Sequence, residues 1–402
     1  MALTGWPTEP SWPAGDVIGA LDGASRLLSH VSGEMGRRVV VDPGRLLCAR
    51  VAARAPDRLP VRGGTRSLGG SCRLLPASDS WVAVNLARPD DWSLLPALTG
   101  GRVPPATATG GAPWKWLEIE VASRTAHEFV SAAQALGLPA SVLGASAADD
   151  PCVVERLGAS RRYAGQPVTV VDFSALWAGP LCAHLLGRAG AQVVTVESRH
   201  RPDGARVGDP QFFAALHEGH RRAVIDFSSP AGRRQIGELV ATADVVLEAS
   251  RPRALAGLAL DPPAFLTGGE GRTWVSITGH GRRGPSSHRV AFGDDAAVAG
   301  GLVGHDRRGR PVFCADAAAD PVAGIVAAVA ATASIVAGGG HLVECSMAGA
   351  AGWVARGRGC PGHHRVEGRG DRWVADCDRV GAEAVVAEPW NTGSRSLSMG
   401  TR

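Results

Sequence analysis

Lysine is almost missing from this 402-residue chain: Lys115 is the only one, so the basic side is nearly all arginine. Arginine is the better fork for phosphate or carboxylate, although a GC-rich genome gives the same bias. Charge of one sign is also missing. The 42 basic and 38 acidic residues are interspersed and leave a formal net charge of +4. That balance excludes a dedicated nucleic-acid binder and leaves small anionic ligands open. Aromatic residues make up 5% of the chain, and no stretch has the aromatic and basic interleaving of an RNA-binding sheet. The eight cysteines stand singly, with no CxxC, which points to a reduced, cytoplasmic protein without a disulfide framework. Cys360-Pro-Gly-His363-His364 has a CxxH spacing but no second pair to complete four zinc ligands, so no metal is expected. There is no Walker loop and no G-x-S-x-G elbow. The amino terminus shows neither a basic n-region nor an apolar h-region, so no secretory signal is expected. Only Val322 to Gly340 is long, apolar and uncharged, and it is mostly alanine and valine between Asp320-Pro321 and a triple glycine. It reads as a helix buried in a large core rather than as a membrane span.

What is present is ample apolar material, 45% of residues, together with 53 glycines and 27 prolines. This length allows two or three domains. Residues 1–160 are mixed: helical spacing over Asp16–Met35, a hairpin-like stretch over Gly70–Leu86, a helix near Arg124–Leu136 and a short strand from Leu138. Residues 166–350 instead alternate continuous apolar runs with helical stretches. The runs are Val168–Asp172, Gln192–Glu197, Ala223–Phe227, Val245–Glu248 and Trp274–Thr278. Strands apolar on both faces predict an α/β fold with a doubly wound, largely parallel sheet. This Rossmann-like core is expected to bind its ligand beyond the carboxyl ends of the strands, beside a second, smaller α+β domain. Residues 351–402 form a Gly/Arg-rich tail with one strand-like piece, Arg372–Asp376.

Gly279-His-Gly-Arg-Arg-Gly284 matches GxGxxG after a strand. A dinucleotide fingerprint must open into a helix, and here Pro285-Ser-Ser-His reads as loop. His217, His220 and His280 are candidate general bases, with exposed loop positions as the plainer reading. Asp320, just before Pro321 and the long uncharged helix, suits an N-cap or a carboxylate facing a cleft at the sheet edge, and spacing alone does not choose between them.

Several segments in a row carry a family resemblance. Val170–Glu197, with Leu176-Trp177-Ala178-Gly179-Pro180 in its loop, resembles the opening strand, loop, helix and strand of the class III CoA-transferases. Gly219–Gly232, Ala243–Pro252 and Ser276–Pro285 are similar to later segments of the same family, in the same order. The last of these accounts for the GxGxxG match. In that family the nucleophile is an aspartate with a glycine four residues on, opening a long apolar helix. Asp320 with Gly324 fits this spacing and Asp316 does not.

The resemblance implies an acyl-CoA:carboxylate CoA-transferase that works through an aspartyl mixed anhydride and an aspartyl-CoA thioester, with Asp320 catalytic. It implies no tightly bound cofactor. Coenzyme A and acyl-CoA would be substrates, with a carboxylic acid as acceptor and neither nucleic acid nor membrane as partner. Arg206, Arg221, Arg251 and Arg289 are candidates for the CoA phosphates, and Trp177 for the mouth of the site. The start of the Asp320 helix and the Gly300-Gly301 turn are candidate oxyanion donors. The departures are His217-Glu-Gly-His220 where the family has Asn-Arg-Gly-Lys, and Ala249 where it has Asn. Phe292-Gly-Asp-Asp295 lacks the histidine of the related racemases, which sets racemase or epimerase behind transferase. A non-catalytic CoA-binding subunit is the third alternative. Ser80–Trp92 and Gly137–Val142 resemble strands that follow the nucleophile in the family. A permuted member is therefore expected, with residues 1–160 as the small domain, as a cytoplasmic homodimer, the resemblance implying the interlocked form.

Overall fold

The protein is described by a computed structural model covering residues 3–54, 62–102, 112–146, 150–250, 257–258 and 260–357, together with strands at 364–369, 372–377 and 383–385. A three-stranded antiparallel sheet is formed by β1 (Cys72–Pro76), β2 (Trp81–Asn85) and β3 (Ala140–Val142). The central sheet has seven strands: β4 (Val153–Arg156), β5 (Thr169–Asp172), β6 (Gln192–Ser198), β7 (Arg221–Ile225), β8 (Val245–Glu248), β9 (Thr273–Thr278) and β10 (His341–Ser346). Their spatial order is β4-β10-β9-β8-β5-β6-β7. All neighbours run parallel except β4, which pairs antiparallel with β10. The parallel strands wind outward in both directions from β5, so the order reverses between β5 and β8, which is where α/β folds leave a crevice.

The α/β doubly wound sheet expected from the apolar runs is the observed core. Its central strands are buried on both faces, as Val245, Val246 and Leu247 in β8 and Trp274, Val275 and Ile277 in β9 illustrate. The small α+β unit is seen as β1–β3 with the helix Ala126–Ala135, around Phe129, Leu117, Val84 and Leu138. The first 160 residues do not gather on one core, however. Helices α1 (Val17–Gly33) and α2 (Pro43–Arg54) share the cluster of the central sheet through Leu21, Leu28, Leu46 and Val51. Strand β4 adds an edge to that sheet.

Behind β5 runs helix α3 (Ala178–Arg188), and behind the carboxyl end of β9 runs helix α4 (Gly293–Ala299). Helix α5 (Ala319–Val336) packs between α1, α3 and helix α6 (Met347–Arg356). It is long and apolar enough to cross a membrane, but 72% of it is buried in the protein core, in line with the core-helix reading. Its alanines and Gly324 allow close approach. A Cβ at position 324 would lie 2.7 Å from the Ala178 carbonyl oxygen and 2.8 Å from Leu181. The six cysteines whose side chains are described are free thiols, all but Cys152 buried.

Candidate active site

The chain enters α5 through a strained turn. Ala315 has φ 53° and Ala317 φ 46°, and non-glycine residues held there cost about 1–3 kcal/mol each. The surroundings fix the turn. The Ala315 N–H donates to Thr4 Oγ1 at 3.1 Å and the Ala317 N–H to Asp294 Oδ1 at 3.0 Å. Between them Asp316, fully buried, accepts the Arg50 fork, with Nε at 2.9 Å and Nη2 on its other oxygen. The Arg50 guanidinium also lies over the Trp177 ring, 5.4 Å from its centroid.

Asp320 stands in the first turn of α5, but it is not the N-cap. That position is Ala318, which has no side-chain cap. The Asp320 carboxyl leaves its own helix and accepts from the Ala178 N–H, at the first position of α3. It thus sits at the positive end of a neighbouring helix dipole. Gly293 lies against it, and a Cβ there would fall 2.2 Å from Asp320 Oδ2. The residue is half-buried. Burial pushes its pKa up to about 7, opposed by the Arg50 charge and abetted by Asp294.

Two further acids in α4 complete the cluster. Asp294 is pushed up to about 6, chiefly by burial and by Asp316. Asp295 is pushed up to about 7 by burial, although it accepts the Phe292 N–H at 2.9 Å and Asn85 Nδ2 at 3.2 Å. A third strained residue, Leu176 at φ 72°, precedes Trp177, and its N–H is held by Asp203 Oδ2 at 3.0 Å. Both strained segments therefore converge on Asp320, one through its own helix and one through Ala178.

The other expected residues are placed differently. Trp177 does not line a mouth. It is 2% exposed, wedged beneath Arg50 and edge-on to Phe212 at 4.9 Å, because the chain turns inward to start α3. Arg206 forks onto Glu197 and covers the Phe213 ring at 4.3 Å. Arg221 is exposed at the start of the outer strand β7, away from Asp320. Arg289 is half-buried in the loop beyond β9; the burial of His280, and then the Arg289 charge, hold His280 down at about 4. Arg251 lies outside the described residues. The Gly300-Gly301 turn offers no spare donor, since the Gly300 N–H bonds the Ala296 carbonyl at 3.0 Å and the Gly301 N–H that of Val298 at 2.9 Å. His217 is buried rather than exposed and stacks on Phe213 at 4.0 Å, while His220 bonds Thr195. Burial holds His220 down at about 3 and His184 beside it at about 4, so both stay neutral. The Gly279–Gly284 loop opens into a short 3-10 turn, Pro285–His288, as the sequence suggests.

At the β5/β8 crevice the strand ends carry Asp172 and Glu248, both fully buried with pKa values raised by burial. Their partners are internal: Ser174 for Asp172, and Ser250, Ser276 and Arg282 for Glu248. A separate pocket lined by Arg161, Tyr163, Gln166 and Asp244 opens at the amino ends of the strands, the wrong edge for Asp320.

Residues 166–370, about half of the chain, match the pattern of CoA-transferase family III. The chain belongs to this family. It is 28% identical over 193 residues to the succinyl-CoA:glutarate CoA-transferase of Mus musculus, covering 45% of this chain and 44% of that protein. It is 30% identical over 210 residues to a probable CoA-transferase of Mycobacterium tuberculosis, covering 47% of this chain and 26% of that one. A solved CaiB/BaiF family protein from Brucella suis is 27% identical, with 47% of this chain and 54% of that one aligned at a TM-score of 0.43. The chain spans less than half the length of these curated relatives. In this family III chain the matched region contains Asp320 and Trp177 but not Thr4, Arg50 or Asn85. Those three, with Asp294 and Asp295, are what the sequence reading missed. In sequence, Phe292-Gly-Asp-Asp295 signals only the histidine it lacks, and Arg50 carries no local signal at all.

Proposed function

We propose that the chain is an acyl-CoA:carboxylate CoA-transferase in which Asp320 carries the transferred groups. The observation that supports this most directly is the placement of the Asp320 carboxyl. It lies within the protein, on the N–H of Ala178 at the start of α3, rather than capping its own helix. A carboxylate there is partly stripped of water and more nucleophilic than one in solution. With its pKa near 7, its ionised form is still populated at neutral pH.

The carboxylate attacks the donor thioester, giving a mixed anhydride and releasing the CoA thiolate. The thiolate attacks the aspartyl carbonyl, expelling the donor acid and leaving an aspartyl-CoA thioester. The acceptor carboxylate then displaces the thiolate to form a second anhydride. Attack of the thiolate on the acceptor's acyl carbon regenerates Asp320 and releases the new acyl-CoA. Each anhydride must be kept from water. The Ala178 N–H is the donor best placed to stabilise charge developing on an Asp320 oxygen.

Arg289, in the loop beyond β9, and Arg221, exposed on β7, are the arginines freest to meet CoA phosphates. Arg206 would have to leave Glu197, and Arg251 completes the set. The mouse relative's name carries succinyl-CoA and glutarate, so short dicarboxylic acids are the first donors and acceptors to try. A cytoplasmic homodimer without a tightly bound cofactor belongs to the same proposal.

The test is acyl exchange: the protein, succinyl-CoA and a panel of labelled free acids, with label sought in a new thioester. Exchange in the wild type, its loss in Asp320→Asn, and a hydroxylamine-trapped hydroxamate at Asp320 are the expected results. Solvent deuterium entering the acyl α-carbon without exchange would replace this reading with a racemase. CoA binding with neither reaction would replace it with a binding subunit.

A further inference from the structure

The turn that delivers Asp320 is held largely by residues lying before residue 70, outside the region that matches the family. Thr4 accepts the Ala315 N–H at 3.1 Å. Ser67 bonds Asp294, which in turn accepts the Ala317 N–H. Arg50, reaching from α2 across 266 residues of sequence, forks onto Asp316 between these two anchors. Its side chain is 19% exposed and that of Asp316 is fully buried, so the pair is sheltered from competition by water. A forked contact fixes a carboxylate in orientation as well as in position, which a point charge does not. Both residues flanking Asp316 have left-handed backbones. Among the described residues the fork is the hydrogen-bonded contact of the Asp316 side chain, so its loss releases the turn there.

Resting on the reading of Asp320 as the nucleophile, we propose that Arg50 is a positioning residue for this site: its fork on Asp316 locks the Ala315–Ala317 turn, and its charge is set among Asp294, Asp316 and Asp320. The amino-terminal segment is thereby a working part of the site, in the same chain as the nucleophile. The titratable groups facing the guanidinium are Asp316, Asp294 and Asp320, with Asp295 behind Asp294 and Cys48 on the same helix. The Arg50 charge lowers the pKa values of Asp294 and Asp320 against their burial. Removing it therefore raises both carboxyls, and the acidic limb of the rate profile moves to higher pH.

The experiment compares wild type, Arg50→Met, Arg50→Lys and Asp316→Asn in the full chain, by acyl-exchange kinetics against pH and by amide hydrogen exchange of residues 315–320. Arg50→Met is expected to lower kcat by roughly 10²-fold with little change in KM for the acyl-CoA, and to shift the acidic limb upward. Arg50→Lys, which keeps charge but not the fork, should return the limb towards its place while kcat stays low. Asp316→Asn, of nearly unchanged volume, should speed exchange at the Ala315 and Ala317 amides by more than its loss of global stability, measured by denaturant unfolding, explains. Unchanged kcat, pH limb and amide exchange in all three variants would overturn the proposal. A wild type without acyl exchange, together with faster turn exchange in the variants, would sink the transferase reading while leaving Arg50 as the lock of this turn.

Discussion

Asp295 and Asn85 meet through Asn85 Nδ2, which reaches Asp295 Oδ1, while Asp295 Oδ2 and Asn85 Oδ1 have no partner among the described residues. Protonation of Asp295 puts a donor on its open Oδ2 and removes a buried charge. Its pKa near 7 agrees with that. The sign follows from the folded pKa lying above the ordinary 3.8. The folded state holds the extra proton, so the stabilisation is complete below about pH 4 and is lost as pH rises towards 7. Asp295→Asn mimics the neutral acid. Its stability relative to the wild type in denaturant unfolding should rise from pH 5 to pH 8, by an amount on the order of 1–3 kcal/mol. The buried His184 and His220, with lowered pKa values, act in the opposite direction in both proteins, so the difference between the two curves isolates Asp295. A relative stability that falls over that range would show that the carboxylate is needed as an anion.

At the scale of elements, the glycine four residues after Asp320 has a mechanical reason. Its missing side chain lets α3 cross α5 closely enough for one residue, Ala178, to lay its carbonyl over Gly324 and its N–H on Asp320. Gly324→Ala should force the two helices apart by tenths of an ångström, at about 1–3 kcal/mol of stability. It should weaken the Ala178 contact and cut acyl exchange more than the loss of stability explains. Activity retained at a temperature where the variant is fully folded would count against this coupling. The apolar runs that became β5, β6, β8 and β9 were legible because a strand buried on both faces has no polar face to show. Strand β4 was not legible. Val153-Val154-Glu155-Arg156 is short, both valines are about half exposed, and only the edge of β10 makes it a strand. The entry to α5 was half legible: the sequence places an acid at the start of an apolar helix, but not that the acid turns away from that helix to meet another.

For the whole molecule, the boundary expected near residue 160 does not separate two cores. Helix α1 lies on α5, and Leu21, Leu28, Leu46 and Val51 belong to the cluster that contains Val322, Ala323 and Ile325. A chain shortened by its first 54 residues should uncover the outer face of α5 as well as lose Arg50. It is expected to bind a hydrophobic dye and to elute as aggregate in size exclusion rather than as a stable smaller protein; a soluble, cooperatively unfolding fragment would contradict this. By itself the sequence determined the sheet class, the family and the acid at the head of α5, because those are written in local periodicity and in short motifs that act through the backbone. The tertiary structure alone decided which arginine meets Asp316, which N–H groups are already bonded, and which carboxyls are buried enough for their pKa values to rise. Those depend on groups hundreds of residues apart meeting out of water, and burial and the resulting electrostatics are properties of the packed assembly rather than of any stretch of chain.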